Sequence, residues 1–350
     1  TKCAGIAALA NLGGTIIISN LNETAALNVT GGNIGSGSGD CGAAGIGGGH
    51  QQNGGTIVIR GGIINATAGA QSGNSGGAAI GGGYKGSVTA VIISGGTVKA
   101  NPVHCGAGIG SGRGASAGYV EISGGTVNAK GINTYSSAIG PGYQGSGGTI
   151  VISGGTVTTS AGLVGIGGAK MSIRITGGTV STSAQNNGIG GGNSNVTISG
   201  GRITASTTVA TTSTAIGGAS SKVAISGGTI KATGKYQGIG RNSSGTAGTV
   251  TITGGTIMQS PVLATPVPLP IDGTNRVYEL TIQGLTPNAA AQVTGLPNNY
   301  GLNDVYADAN GQIYVYLPNG TGEFFVEGTA YTYYIEDNPS SAFLASEKFD

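Results

Sequence analysis

Five side chains with binding chemistry occupy one position of a repeated motif. His50, Tyr84, Arg113, Tyr143 and Lys170 each follow, by four residues, the Ile of an Ile-Gly dipeptide. Aromatic rings offer apolar faces to flat ligands such as sugars, and Arg forks bind carboxylates. If the repeats stack in register about 4.8 Å apart, Tyr84 and Tyr143 lie roughly 10 Å apart, with Arg113 between them and Lys170 next along. The pattern predicts a strip that binds acidic polysaccharide; the alternative is that these are ordinary residues of a variable turn.

Catalysis is disfavoured by a shortage of acidic residues. Residues 1–260 contain three acids, Glu23, Asp40 and Glu121, whereas glycoside hydrolysis uses two carboxylates roughly 5–10 Å apart. Glu121 has Ile92 and Val151 as its predicted neighbours in the adjacent repeats, and no cluster has the spacing of a metal site. The sequence therefore predicts a protein that is not an enzyme and holds no cofactor or metal. An enzyme that pairs Glu23 with Asp40 is the catalytic alternative.

The five side chains belong to a repeat that covers most of the chain. An Ile-Ser-Gly-Gly-Thr-Val motif at residues 93–98 returns at 122–127 and 152–157, and related copies follow at intervals of 23 to 34 residues. Gly-Gly marks a corner, because Gly adopts positive φ without steric cost. A 23-residue unit fits one three-sided coil of a parallel β-helix. We predict an all-β protein with about nine coils, right-handed as parallel crossovers almost always are.

The alternation of apolar and polar residues identifies the predicted core. In residues 149–153 (TIVIS) the two Ile point inward and the intervening residues point outward. The equivalent residues of the other repeats form two inward columns. The first is Ile57, Val91, Val120, Ile150, Ile173, Val196, Val223 and Val250, and the second is Ile59, Ile93, Ile122, Ile152, Ile175, Ile198, Ile225 and Ile252.

Composition divides the chain after residue 260. Of the 74 Gly, 66 lie before residue 261, and all four Phe lie after it. Residues 1–260 carry a net charge of +10 and residues 261–350 a net charge of −8. We predict a β-helix over 1–260, a Pro-rich linker over 261–274 and a small antiparallel β-sandwich-like domain over 275–350. Within the last part, the predicted strands are residues 277–283, 312–317, 323–326 and 331–336.

The three cysteines do not form a disulfide framework. Cys3 and Cys41 precede similar Ile residues in adjacent repeats, so they are candidates for a disulfide, whereas Cys105 lies about two coils beyond Cys41. Cys105 is predicted to be free or to bridge between chains.

The alternating Gly-Ile-Gly-Gly and Ile-Ser-Gly-Gly-Thr-Val motifs of residues 1–260 resemble the Gly-rich right-handed β-helix regions of secreted bacterial surface proteins, which are adhesin-like or carbohydrate-binding. The C-terminal part resembles small β modules appended to such proteins. The resemblance implies a secreted or cell-surface location and a non-catalytic structural or adhesive role. Binding of acidic polysaccharide is the alternative function, and a carbohydrate-active enzyme is the second.

Other copies of the chain are a further predicted partner. The acidic C-terminal part would dock onto the basic β-helix of another copy and build fibres, which salt would weaken. Nucleic acid is not expected to bind, because the basic residues are spread along the chain without clusters. Apolar runs are too short for a membrane span.

Overall fold

The structure is a computed structural model. The structure describes residues 4–7, 14–19, 26–32, 42–69, 76–132, 135–208, 212–240, 248–260, 269–271, 275–295, 305–307, 310–318, 320–335 and 343–345. These residues form β-strands joined by turns, as the high Gly content and the Val and Ile alternation predict. Within these ranges no helix is long and apolar enough to cross a membrane.

The strands up to residue 260 are, in chain order, β1 (Ile6–Ala7), β2 (Thr15–Ile18), β3 (Ala26–Thr30), β4 (Ile46–Gly47), β5 (Thr56–Ile59), β6 (Ile63–Thr67), β7 (Ile80–Gly81), β8 (Ala90–Ile93), β9 (Thr97–Asn101), β10 (Ile109–Gly110), β11 (Tyr119–Ile122), β12 (Thr126–Lys130), β13 (Ser137–Gly140), β14 (Gly148–Ile152), β15 (Thr156–Ala161), β16 (Val164–Gly167), β17 (Met171–Ile175), β18 (Thr179–Ala184), β19 (Asn187–Gly190), β20 (Asn195–Thr207), β21 (Thr214–Gly217), β22 (Lys222–Thr233), β23 (Gln237–Gly240) and β24 (Thr249–Ser260).

These strands wind into a parallel β-solenoid with three faces. The first face consists of β2, β5, β8, β11, β14, β17 and the N-terminal halves of β20, β22 and β24, each paired in parallel with the next. The second face consists of β3, β6, β9, β12, β15, β18 and the C-terminal halves of the same three long strands. The third face is a nine-stranded sheet with the order β1-β4-β7-β10-β13-β16-β19-β21-β23. The predicted three-sided coil is thereby confirmed.

The core is built from the predicted inward columns. Val120 pairs with Val91 on one side and Ile150 on the other, and Ile122 pairs in the same way with Ile93 and Ile152. All of these side chains are fully buried. Burial of each contributes about 1.5–3 kcal/mol. Because a single coil is too thin to enclose its own apolar side chains, this stabilisation comes from stacking on neighbouring coils.

Two kinds of Gly bring the chain around the corners. Gly125, the second Gly of a Gly-Gly pair, has φ of 79° and turns the chain from the first face to the second. Gly110 has φ of 135°, and a Cβ atom there would lie 2.0 Å from the carbonyl oxygen of Gly140 in the next coil. The Ile-Gly dipeptide therefore recurs for two reasons: its Ile is buried in the core, and its Gly lets successive coils approach.

The C-terminal strands are β25 (Leu269–Ile271), β26 (Asn275–Ile282), β27 (Ala290–Ala291), β28 (Val293–Thr294), β29 (Val305–Tyr306), β30 (Ile313–Pro318), β31 (Gly320–Val326), β32 (Thr329–Ile335) and β33 (Phe343–Ala345). They pair antiparallel, and the four predicted strands coincide with β26, β30, β31 and β32. Their own core surrounds the buried side chains of Leu280, Val315 and Phe324. Strand β30 also pairs antiparallel with β24 of the last coil. Most of the predicted linker lies outside the described residues, but Leu269–Ile271 within it forms β25.

Candidate functional site

Four of the five predicted binding residues lie in line on the turns between the third and first faces. In each coil, the backbone amide that follows the binding residue donates a hydrogen bond to the carbonyl of the binding residue in the next coil. The bonds are Gln51 N–H to Tyr84 O (3.0 Å), Lys85 N–H to Arg113 O (3.0 Å) and Gly114 N–H to Tyr143 O (2.7 Å). His50, Tyr84, Arg113 and Tyr143 therefore occupy equivalent positions in four consecutive coils. We call them the strip.

A second set of hydrogen bonds also ties three of the strip residues to the preceding coil. Here the amides of strip residues donate to carbonyls of the segments that enter the third-face strands. The bonds are Tyr84 N–H to Gly42 O (3.3 Å), Arg113 N–H to Gly76 O (3.1 Å) and Tyr143 N–H to Cys105 O (2.8 Å). Because backbone bonds tie the turns at Tyr84 and Arg113 to the coils before and after them, these side chains project from a defined frame rather than from a loose loop.

Neighbouring side chains of the strip contact one another. The His50 and Tyr84 rings stack with centroids 5.7 Å apart and planes inclined by 11°. Lys85 Nζ lies 5.4 Å from the centre of the Tyr84 ring, and Arg113 Cζ lies 5.3 Å from the centre of the Tyr143 ring. Cations at this distance from an aromatic face are attracted to it. The structure thus brings two basic side chains and three rings together on one surface.

The Tyr143 end of the strip is closed by two further contacts. The Tyr135 ring packs against Tyr143 at 4.7 Å with a tilt of 51°, and Arg113 Nη2 donates a hydrogen bond to Gln144 Oε1 at 3.2 Å. Arg113 and Tyr135 both take up contact area on the Tyr143 ring. A ligand along the strip would therefore meet ring edges, Tyr hydroxyls and cationic groups more than open ring faces. This changes the expected binding mode from sugar stacking to charge-assisted hydrogen bonding.

Lys170 does not belong to the strip, and its predicted alignment with Tyr143 is wrong. Met171 pairs with Gly148, so Lys170 lies beside Gly147 instead. The physical reason is a shorter turn: Thr149 lies ten positions after Ile139, whereas Ser172, which pairs with Thr149, lies only six positions after Ile166.

Sequence reasoning also missed Lys85, Gln144 and Tyr135. Lys85 and Gln144 each follow a strip residue directly, are exposed and have φ of 56° and 61°. A search that considered the residue after each predicted binding position would have found both. Tyr135 comes from the segment before the third-face strand β13, and no repeat position indicates its contact with Tyr143.

The cysteine predictions have different outcomes. Cys3 and Cys41 lie outside the described residues, so their disulfide stays a prediction. Cys105 is free and 1% exposed. Burial raises the pKa of its thiol, and the nearby Arg113 charge partly offsets this increase. A side chain so enclosed does not suit a bridge between chains, and the Cys105 carbonyl accepts the backbone hydrogen bond of Tyr143.

Glu121 is the single acid among the described residues up to 260, and it lies on the first face rather than in the strip. Tyr119 Oη donates a hydrogen bond to Glu121 Oε2 at 2.8 Å, which is the main cause of the raised pKa of Tyr119, followed by burial and the carboxylate charge. Glu23 and Asp40 lie outside the described residues. Among the residues that the structure places, no three His, Cys, Asp or Glu side chains form a group that could hold a metal ion.

Comparisons with known proteins add no family to these observations. No family model matches the chain, and neither the curated proteins nor the solved structures contain a match.

Proposed function

We propose that this protein is a non-catalytic, extracellular adhesive element of the bacterial surface, and that it adheres by binding acidic polysaccharide along the strip. The observation that carries the proposal is the alignment of His50, Tyr84, Arg113 and Tyr143 in four consecutive coils, with cationic contacts at Tyr84 and Tyr143. A linear polymer is a suitable ligand, because the strip presents similar groups at a constant spacing of about 4.8 Å.

Charge favours an acidic polymer over a neutral one. Arg113 belongs to the strip, Lys85 lies over the Tyr84 ring, and residues 1–260 as a whole carry a net charge of +10. A carboxylate on a sugar ring would accept hydrogen bonds from the Arg113 guanidinium, which offers several donors in a planar fork. Tyr hydroxyls at the ring edges would donate to or accept from the sugar hydroxyls.

The test is affinity electrophoresis of the full chain in gels that contain polygalacturonate, with dextran gels as the neutral control. The wild type should be retarded by polygalacturonate and not by dextran, and added salt should reduce the retardation. The double variant Lys85→Ala/Arg113→Ala should lose most of it. The matched control is Lys170→Ala/Lys231→Ala, which removes the same charge outside the strip from two exposed positions, and it should bind nearly as well as the wild type.

Two results would contradict the proposal. One is a wild type that polygalacturonate does not retard. The other is equal loss in the two double variants, which would show that binding depends on net charge and not on the strip. Circular dichroism of each variant would establish that the solenoid has folded.

A further inference from the structure

The first face of the solenoid carries a column of outward-facing side chains that runs from apolar residues, through one acidic and one basic residue, to small residues. Its members pair strand by strand along all nine coils. In order they are Ile17, Val58, Ile92, Glu121, Val151, Arg174, Thr197, Ala224 and Thr251. Ile17 is 56% exposed and Val58, Ile92 and Val151 are partly exposed. We call this set the outward ladder.

The two charges of the outward ladder are placed symmetrically about its centre. Val151 belongs to β14, the fifth of the nine first-face strands. Glu121 is one strand before Val151 and Arg174 is one strand after it. Consider two copies whose first faces oppose each other, related by a twofold axis that lies between the sheets and runs parallel to β14. This rotation reverses the order of the strands but keeps the position of each residue along its strand. It would therefore bring Glu121 of one copy opposite Arg174 of another.

We propose that the first face is a docking surface for a second copy of this chain, packed face to face about such an axis. In a twofold interface, if residue i contacts residue j, then j also contacts i. Each dimer would thus contain two Glu121–Arg174 pairs, one on each side of a Val151–Val151 contact. The apolar residues Ile92 and Val58 would meet the small side chains of Thr197 and Ala224 of the other copy.

The other charges of this face agree with the same axis. Lys222 begins β22, three strands after β14, and would lie opposite Thr56, three strands before it. Arg60, which directly follows β5, would lie opposite Ser226. No like charges of these strands meet. Because β14 is the middle strand, the two nine-stranded faces also overlap along their whole length.

The hydrogen bond from Tyr119 to Glu121 is compatible with this pairing. A carboxylate has about four acceptor positions on its two oxygens. Tyr119 uses one of them, on Oε2, and holds the carboxylate in place. Arg174 of the other copy would donate further hydrogen bonds to a carboxylate that Tyr119 already holds in place.

The area of the face predicts a weak dimer. Nine strands about 4.8 Å apart and four residues wide cover a flat area of roughly 500 Å² per copy. Stable interfaces bury about 800 Å² per partner. Association should therefore depend on concentration and, because it includes exposed charge pairs, on salt. The two sheets would pack about 10 Å apart, as in β-sandwiches.

The test is sedimentation velocity of the full chain over a wide concentration series, with charge reversal and charge exchange. The wild type should shift from monomer to dimer as concentration rises. Glu121→Arg and Arg174→Glu should each weaken dimerisation at least tenfold, because each places like charges opposite one another. The double variant Glu121→Arg/Arg174→Glu should restore dimerisation to near the wild-type level.

Lys231→Glu is the matched control for Arg174→Glu, since it makes the same change of charge at an exposed site on the second face. It should dimerise like the wild type. A wild type that stays monomeric at the highest concentration overturns the proposal, and so do single reversals that dimerise like the wild type or a double variant that fails to recover. Growth into larger fibres in place of dimers would instead favour docking of the acidic C-terminal part onto the solenoid.

Discussion

Two Gly residues four positions apart allow a direct test of how closely the coils approach. Gly110 and Gly114 both have positive φ, at 135° and 78°. A Cβ atom at Gly110 would lie 2.0 Å from the backbone oxygen of Gly140, whereas at Gly114 the nearest atom is Lys85 Cγ at 4.0 Å. The substitutions Gly110→Ala and Gly114→Ala therefore both place a side chain at positive φ, but only Gly110→Ala adds an overlap with a backbone atom.

The expected costs follow from these distances. Positive φ costs a non-Gly residue about 1–2 kcal/mol, so Gly114→Ala should lower the free energy of unfolding by about that amount. Gly110→Ala adds an overlap with a backbone atom that cannot rotate away, and the two coils must separate locally. Overpacking of this kind costs a further 1–3 kcal/mol or so. We expect a total loss of about 2–5 kcal/mol for Gly110→Ala.

Urea unfolding monitored by circular dichroism would measure both losses. The midpoint should fall in both variants, and much further for Gly110→Ala, while the slope of free energy against urea stays near that of the wild type. Equal losses in the two variants would refute the conclusion that contact between coils at the Ile-Gly dipeptide requires Gly. Backbone strain would then be the sole reason why Gly occurs at position 110.

Two further predictions concern the core and the outward ladder. Ile122 is fully buried, so Ile122→Ala should cost about 2–5 kcal/mol of unfolding free energy. Ile92 faces outward on the adjacent strand β8, where it pairs with Glu121, so Ile92→Ala should cost about 1 kcal/mol. Similar losses in the two variants would place Ile122 outside the core. The pKa of Tyr119 is raised above 10.0 mainly by its hydrogen bond to Glu121, so Glu121→Ala should lower that pKa in NMR titrations of the tyrosine rings. Because the pKa of Tyr119 is higher in the folded than in the unfolded protein, this hydrogen bond stabilises the protein below about pH 10, and the stabilisation is lost as the pH rises through the folded pKa. A Tyr119 pKa that is unchanged in Glu121→Ala would contradict the conclusion that Glu121 raises it.

The sequence predicts the fold well because the repeat couples two independent constraints. Alternation of apolar residues in a run such as 149–153 determines which side chains face inward, and the Gly corners determine where the faces meet. Parallel stacking then leaves few registers, since a shift of one residue would expose a whole column of Ile and Val. The pairing of Val120 with Val91 and Ile150 follows directly.

The candidate site is less predictable, because it lies on turns whose length changes between repeats. Counting four residues from the Ile locates Tyr84, Arg113 and Tyr143, because these residues occupy equivalent positions in turns with the same backbone hydrogen bonds. The same count fails at Lys170, where the turn is shorter and the side chain moves beside Gly147. Contacts between the two turns that flank one strand, such as Tyr135 before β13 with Tyr143 after it, depend on three-dimensional packing that the repeat does not encode.

The two proposed surfaces are geometrically linked through the position of the strip. The strip lies on the turns just before the first-face strands, from β5 to β14. An axis along β14 keeps the position along the strands and inverts their order. The strip of the second copy would therefore lie at the same edge of the interface and continue from Tyr143 onward. One strip spans about 14 Å, and the two together about 29 Å. A long polysaccharide would then engage both copies and gain avidity, whereas an oligosaccharide shorter than one strip would bind a single copy. Dependence of affinity on polymer length thus connects dimerisation to adhesion without any contact between the ligand and the first face.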